Sequence, residues 1–302
     1  MADIHLSSIS YVHGDPRPVA GLGEPGCDDE RLSQDGLRDY RETTASSLEM
    51  ACDVGAKTLA AAGASPDFVL YATETPQEGE DALSTNARLA VALGIPGTVV
   101  LNLAGHGCGN LGLLVQVADA LLSRHPAGSA LIVTADRVAS GRGRMMTGPL
   151  SVLSDGAAAV LATREAPAAR PALRVHGVAV RTDAQGGTAD VSPAGQRRTV
   201  LLGRSAAAGL KEVTGLGPRD YTHALFNNYR LSSQRFLAGA AGFAAAQLVP
   251  GPVADHGHSF AADLLVNCAL FARAGTFEPG ARLALSATGP NSWALIDVEV
   301  VG

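Results

Sequence analysis

The residues of this 302-residue chain best suited to chemistry surround Cys108, within Thr98 to Leu122, TVVLNLAGHGCGNLGLLVQVADALL. Val99, Val100, Leu101 and Leu103 form an apolar, β-branched run that predicts a buried strand. Gly105-His106-Gly107 predicts a tight turn, and Leu114, Val117, Ala118 and Leu121 recur at the spacing of a helix face. Cys108 is therefore expected where a strand turns into a helix. There the helix's unpaired N–H groups and positive dipole end favour a thiolate over a thiol. Gly105, Gly107 and Gly109 keep side chains away from the sulfur and leave room for a thioester, whereas a cysteine that only packs needs large neighbours. The chemistry this implies is covalent catalysis by a cysteine nucleophile. Glycines between a strand and a helix also read as a dinucleotide loop, but Asn110 stands where that fingerprint needs a third glycine, and such loops come early in their fold.

Composition narrows the rest. A net charge of −6, from 23 Lys and Arg against 29 Asp and Glu, leaves no basic stripe to displace counterions from phosphates, so nucleic acid is not expected as a partner. The four cysteines, Cys27, Cys52, Cys108 and Cys268, are scattered with no C-x-x-C pair, so neither a metal site nor a disulfide framework is indicated. Asp3 and His5 stand where a signal peptide needs a basic and then an apolar run, and no stretch reaches the roughly 20 apolar residues of a membrane span. A cytoplasmic protein without membrane contact is the expectation. Phe236 to Val249 comes closest to a span but is short and interrupted by glycine, which predicts a buried helix.

The chain must then supply elements to hold Cys108. Strands are predicted at 4–12, 68–73, 130–135, 173–180, 224–229, 282–288 and 293–301, with another following Leu153-Ser-Asp-Gly-Ala. Helices are predicted from Thr43 or Thr44 as N-cap to Gly63, over 85–93, from 232 to 248 and from 260 to 274. The Gly/Pro/Asp-rich stretch 14–29 predicts a loop, and 183–195 is polar without assignable period. An Ala/Pro-rich connection at 166–172 divides the chain into residues 1–165, which carry the cysteine, and 166–302. Each part reads as a mixed sheet with helices.

These residues resemble the thiolase superfamily, specifically its ketoacyl-ACP synthase III-like branch. The likeness spans most of the chain and rests on four marks in order: the cysteine strand-turn-helix, Leu153-Ser-Asp-Gly-Ala for that family's Phe-Gly-Asp-Gly-Ala, the tail Ala287-Thr-Gly-Pro-Asn-Ser-Trp, and the spacing between active-site loops. The resemblance implies an α/β fold of five layers, αβαβα, made of two similar halves. It also implies a homodimer paired through the strand carrying Leu101, and Cys108 as acyl acceptor. Gly289 falls on the glycine whose N–H joins that of Cys108 in an oxyanion hole, which suits a tetrahedral intermediate needing two preorganised donors.

The departures carry more information. Condensing enzymes of this branch place His in an H-Q-A-N-like loop and Asn in a later G-N-T-S-like loop. Here the first loop reads Phe226-Asn-Asn-Tyr-Arg and the second Gly257-His-Ser-Phe, so histidine and asparagine have exchanged places. Asp263 follows His258 by five positions, close enough for its carboxylate to orient the imidazole and raise its basicity. This pattern resembles the branch that forms esters and amides, and it implies Cys108, His258 and Asp263 as catalytic residues with Asn227 and Asn228 against the substrate. The bland readings stand beside these: His258 as a loop histidine, Asp263 as a helix-dipole partner, Asn227 as a strand-end residue. His256 is the rival base, and His106 is expected to point away from the cleft. Arg142, Arg144, Arg230 and Arg235 could meet carrier phosphates or the solvent. The expected activity is acyl transfer from acyl-ACP or acyl-CoA to a small-molecule hydroxyl or amine in secondary metabolism, without a separate cofactor. The alternatives are a decarboxylative condensing enzyme and a non-catalytic acyl-binding or partner subunit.

Overall fold

The computed structural model describes residues 4–24, 29–76, 81–148, 150–168, 171–186 and 192–302. In chain order the elements are β1 (Ile4–His13), β2 (Asp15–Pro18), α1 (Asp29–Gln34), β3 (Asp39–Glu42), α2 (Ser47–Ala62), β4 (Phe68–Ala72), α3 (Ala82–Ala92), β5 (Val99–Asn102), α4 (Asn110–Arg124), β6 (Ser129–Asp136), β7 (Gly156–Thr163), β8 (Ala172–Thr182), α5 (Pro193–Thr214), β9 (His223–Phe226), α6 (Leu231–Ala241), α7 (Val253–His256), α8 (Asp263–Arg273), β10 (Arg282–Thr288) and β11 (Ser292–Val301). Nine strands form one hydrogen-bonded sheet in the order β5-β4-β6-β7-β1-β8-β11-β10-β9.

That order contains one arrangement twice. From β1 outward, β7 and β6 are antiparallel neighbours and β4 then runs parallel to β6; from β8 outward, β11 and β10 are antiparallel and β9 runs parallel to β10. The two sets join where Ile4–Leu6 pairs antiparallel with Leu173–Val175.

Alternation along the strands explains the layers, because successive side chains point to opposite faces. In the first set Val69, Tyr71, Val133 and Ala159 pack under α2 and α3, while Leu70, Ala72, Ile132 and Val160 face α4 and α8. In the second set Leu225, Leu285 and Ile296 face the same α4 and α8, while Phe226, Ala284 and Leu295 face α5 and α6. The result is the five-layered αβαβα arrangement. Helix α4 is seated tightly, since a Cβ on Gly112 would lie 2.1 Å from the Cβ of Ala294 on β11. Among the described residues no helix is long and apolar enough to cross a membrane.

Several local expectations are corrected. The stretch 14–29 is not all loop: β2 pairs with β3 through its backbone, with every side chain exposed, so no hydrophobic alternation marks it; residues 25–28 lie outside the described set. The N-cap of α2 is Ser46, which forms a capping box with Glu49, while the Thr43 hydroxyl accepts from Ala45 N–H. The helix expected to reach residue 248 stops at Ala241, where Gly242 takes a left-handed conformation. Helix α5, 22 residues long, is not among the helices that hydrophobic periodicity predicts.

Candidate active site

The turn ahead of α4 carries Cys108. Gly107–Gly109 forms one 3-10 turn whose first bond is donated by Gly109 to the His106 carbonyl at 3.0 Å, so the Cys108 N–H lies in the opening turn, ahead of the helical ladder. Gly107 is left-handed at φ 56°, and a Cβ there would sit 2.8 Å from Pro290 Cδ; a Cβ on Gly289 would sit 2.1 Å from the His106 carbonyl oxygen. Glycine is required at 107 by the left-handed backbone and the Pro290 ring, and at 289 because its backbone meets that of His106.

The second loop is pinned by the Leu153-Ser154-Asp155 motif. His258 N–H donates to the Val152 carbonyl at 2.9 Å and Ser154 N–H to the His258 carbonyl at 2.8 Å, forming a one-residue bridge with Leu153. Asp155, fully buried, anchors the motif by accepting from Thr43 and Val138 N–H at 2.9 Å and from both terminal nitrogens of Arg144 at 3.0 Å.

These loops bring three expected residues together. Cys108 Sγ lies 3.0 Å from His258 Nε2, and His258 Nδ1 lies 2.5 Å from Asp263 Oδ2. His258 and Asp263 are fully buried, Cys108 nearly so. Asp263 is held in turn by the N–H groups of Asn228 and Ser259, each at 2.7 Å to one of its oxygens. Burial acts against an imidazolium at His258, but the Cys108 sulfur and the Asp263 carboxylate outweigh it and raise its pKa well above the usual histidine range. Two aromatic rings adjoin the imidazole, Tyr229 with its centroid 4.9 Å away and tilted, and Phe260 stacked at 5.8 Å and 27°. Burial, and then the neighbouring Cys108, push the Tyr229 phenol well above its ordinary pKa, so it stays neutral and donates to the Thr288 carbonyl at 2.7 Å. A cavity of about 900 Å³ opens onto this centre, with Cys108, Tyr229, Phe260, Thr288 and Gly289 in its wall. Such an arrangement can attack an activated carbonyl and shuttle one proton.

No model of a protein family matches the chain, and no curated protein does. Solved structures do match over their full length. One, the acyltransferase ChlB3, is 19% identical, covers 99% of this chain and 98% of its own, and superposes at a TM-score of 0.85. The 3-oxoacyl-(acyl carrier protein) synthase III, FabH, of Pseudomonas aeruginosa is 20% identical over 100% and 99%, with a TM-score of 0.81. A cysteine-to-serine variant of Xanthomonas campestris OleA, with bound lauric acid and lauroyl-CoA, is 15% identical over 98% and 99%, also at 0.81. The fold is thiolase-like.

Within this thiolase-like fold the other expected site residues are placed differently. Asn227 and Asn228 do not reach the cavity: both are buried, and they build the loop. Asn227 Oδ1 accepts from Thr288 N–H at 2.8 Å and its amide donates to the Phe260 carbonyl at 3.3 Å; Asn228 Oδ1 accepts from Asn267 at 2.9 Å. The Gly289 N–H, one of the expected pair of oxyanion donors, is engaged by the Ser292 carbonyl at 2.9 Å, because it closes the turn between β10 and β11. Arg144 is locked to Asp155, and Arg230 lies 3.4 Å from Asp35; Arg142 lines the cavity, and Arg235 is exposed. His256 faces His13, with Nδ1 atoms 3.2 Å apart, and not the sulfur. His106 contributes backbone bonds to Asn110 and Ser292 and does not line the cavity. Two residues of the site were missed, Tyr229 and Phe260; the signal available was their position beside Asn228 and His258 in the two diagnostic loops. Among the described residues no cluster of three metal-ligating side chains occurs.

Proposed function

We propose that this protein is an acyltransferase that carries its acyl group on Cys108. The observation that supports this reading best is the hydrogen-bonded chain from Cys108 through His258 to Asp263. The Cys108 thiolate attacks the carbonyl of an acyl-carrier-protein or coenzyme A thioester, and the carrier leaves as a thiol after taking the proton of the His258 imidazolium. An acceptor hydroxyl or amine then attacks the acyl-cysteine while His258 accepts its proton and returns the pair to thiolate and imidazolium, with Asp263 holding the ring throughout. The Cys108 N–H stabilises the developing oxyanion. The likeness to ChlB3, an acyltransferase, and to OleA, which binds an acyl thioester, favours the same chemistry. A homodimer formed through β5 is part of this reading, supported by a strand at the end of the sheet order whose Val99 is 53% exposed.

Asn227 also bears on the choice. A decarboxylating condensing enzyme needs a second polar group aimed at the malonyl carbonyl, and the Asn227 amide is already committed at both ends. The test is intact mass spectrometry with a panel of acyl thioesters. Wild type should gain one acyl group and Cys108→Ala none, and the adduct should move to an added alcohol or amine without release of carbon dioxide from a malonyl thioester. Carbon dioxide appearing in step with product would replace transfer with condensation.

A further inference from the structure

We propose that Glu74 selects the substrate by accepting a hydrogen bond from an ammonium or hydroxyl group carried on the acyl chain or on the acceptor; this rests on the transfer reading above. Glu74 follows β4 and lines the same cavity as Cys108. Its backbone is fixed by Asp136, a fully buried carboxylate whose Oδ1 accepts from Glu74 N–H at 2.7 Å and from the Thr73 and Thr75 hydroxyls at 3.2 and 3.0 Å. Its side chain is aimed as well. Oε1 accepts from the Asn110 amide, and Asn110, buried at the start of α4 two residues past the nucleophile, is itself oriented by His106 N–H at 3.2 Å.

That network uses one carboxylate oxygen. Among the described residues Oε2 meets no donor and Glu74 forms no ion pair, although Arg142, Arg198 and Arg230 share the cavity wall. A neutral glutamine would serve Asn110 equally well through its amide oxygen. The charge is therefore the feature this position adds, in a cavity whose wall also carries Met146, Leu150, Leu153 and Phe260, and its second oxygen is placed to accept from a donor on a bound molecule. A plain hydrocarbon chain supplies none. An amino or hydroxyl substituent does, and a site built for such a group rejects the analogue lacking it far more strongly than it rejects a missing methylene.

The experiment compares the full-length wild type with Glu74→Gln in three arms. The first needs no thioester: the rate at which aminoethyl iodoacetamide alkylates Cys108 is divided by the rate for the neutral ethyl analogue, with Cys108→Ala as the unlabelled control. Wild type should favour the cationic reagent by about 10-fold and Glu74→Gln should not, the size expected of one hydrogen bond to a charged group. The second arm loads Cys108 from hydroxybutanoyl-CoA, β-alanyl-CoA and butanoyl-CoA; the third transfers the loaded acyl group to ethanolamine and to ethanol. A preference lost on substitution in the second arm places the recognised group on the acyl chain, and one lost in the third places it on the acceptor. Equal ratios for wild type and variant in all arms overturn the assignment. Loss of the ratio in the first arm, together with no loading by any thioester, retains Glu74 as the recognising residue and removes acyl transfer.

Discussion

Two helices enter the centre of this molecule from opposite halves, and each is preceded by a 3-10 turn, Gly107–Gly109 before α4 and Phe260–Ala262 before α8. Each turn opens in the left-handed region, Gly107 at φ 56° and Phe260 at φ 53°. The reasons are opposite. At Gly107 a side chain is forbidden, because Pro290 fills the place of a Cβ. At Phe260 a side chain is needed, because its ring covers His258 and completes an apolar cluster with Cys108, Val138 and Leu153. A bulky residue in this conformation is strained, by about 1–3 kcal/mol for sparsely populated backbone regions, and it persists only where its surroundings hold it. The turn that carries Cys108 is thus made by removing atoms, and the turn that follows His258 by adding a ring against backbone preference.

The largest expected effect tests the division of labour between these turns. His258→Ala should still form the acyl-Cys108 adduct, more slowly, but pass it to an acceptor about 10²- to 10⁴-fold less well, the usual worth of a general base. Asp263→Asn should weaken the same second step, since an amide cannot stabilise the imidazolium. Mass spectra taken before and after acceptor is added separate the two steps; equal loss in both would mean that His258 serves the nucleophile alone.

A smaller effect addresses the two left-handed residues. Gly107→Ala should destabilise the protein by about 1–2 kcal/mol from backbone conformation alone, more once Pro290 is displaced. Phe260→Gly should be more stable than Phe260→Ala by about 1 kcal/mol, reversing the usual order of glycine and alanine, because only glycine is at ease at this φ. Denaturant titrations measure both. An alanine variant at Phe260 that equals the glycine variant would show that this backbone relaxes and that the strain is absent.

The smallest effect concerns His256, the last residue of α7 and two positions before His258, and its partner His13. Burial, then His256 and Arg41, lower the His13 pKa to about 3, and burial followed by Arg41 lowers that of His256 to about 4. A histidine depressed in the folded state takes its proton first in the unfolded one, so stability declines as pH falls from about 6.5 toward those values. His13→Gln should lose less stability than wild type between pH 7 and pH 5, by at most about 2 kcal/mol. His258 has the opposite sign: its raised pKa contributes stability that is whole below about 6.5 and is lost as pH rises through the folded value. Thermal melts across pH distinguish them.

The local parts of the site were legible in sequence. A β-branched run, glycines and an apolar helix face define the turn at Cys108 within 25 residues, and the five-residue step from His258 to Asp263 lies inside one turn and its helix. What was not legible depends on remote partners. Asn227 and Asn228 are polar residues at a strand end, a description that fits a substrate ligand equally well; only Thr288, Asn267 and Phe260, distant in sequence, make them struts. The Gly289 N–H is likewise assigned by a carbonyl that only the folded turn brings near. Helix α5 escaped because its buried face is built of small residues, Gly195, Gly203, Ala206, Ala207 and Gly209 with Leu210, which hydrophobic periodicity does not detect. Gly203 admits Trp293 and Gly209 admits Arg181. Ser192 followed by Pro193, an N-cap and first-turn proline, was the signal that could have located its start.

Strand β1 pairs with β7 along most of its length and with β8 through Ile4–Leu6. Both partners lie beyond residue 155, so during synthesis the first strand must wait, with both edges open, until β4, β5 and β6 have emerged and β7 follows them. Long-range pairing of this kind is slow and exposes apolar edges to other chains. Residues 1–165 made alone would keep the β8-facing edge of β1 uncovered, and residues 166–302 alone would lack β1 beside β8. The repeated strand order therefore does not amount to independence of folding: the chain is expected to bring Cys108 and His258 together in one late cooperative step.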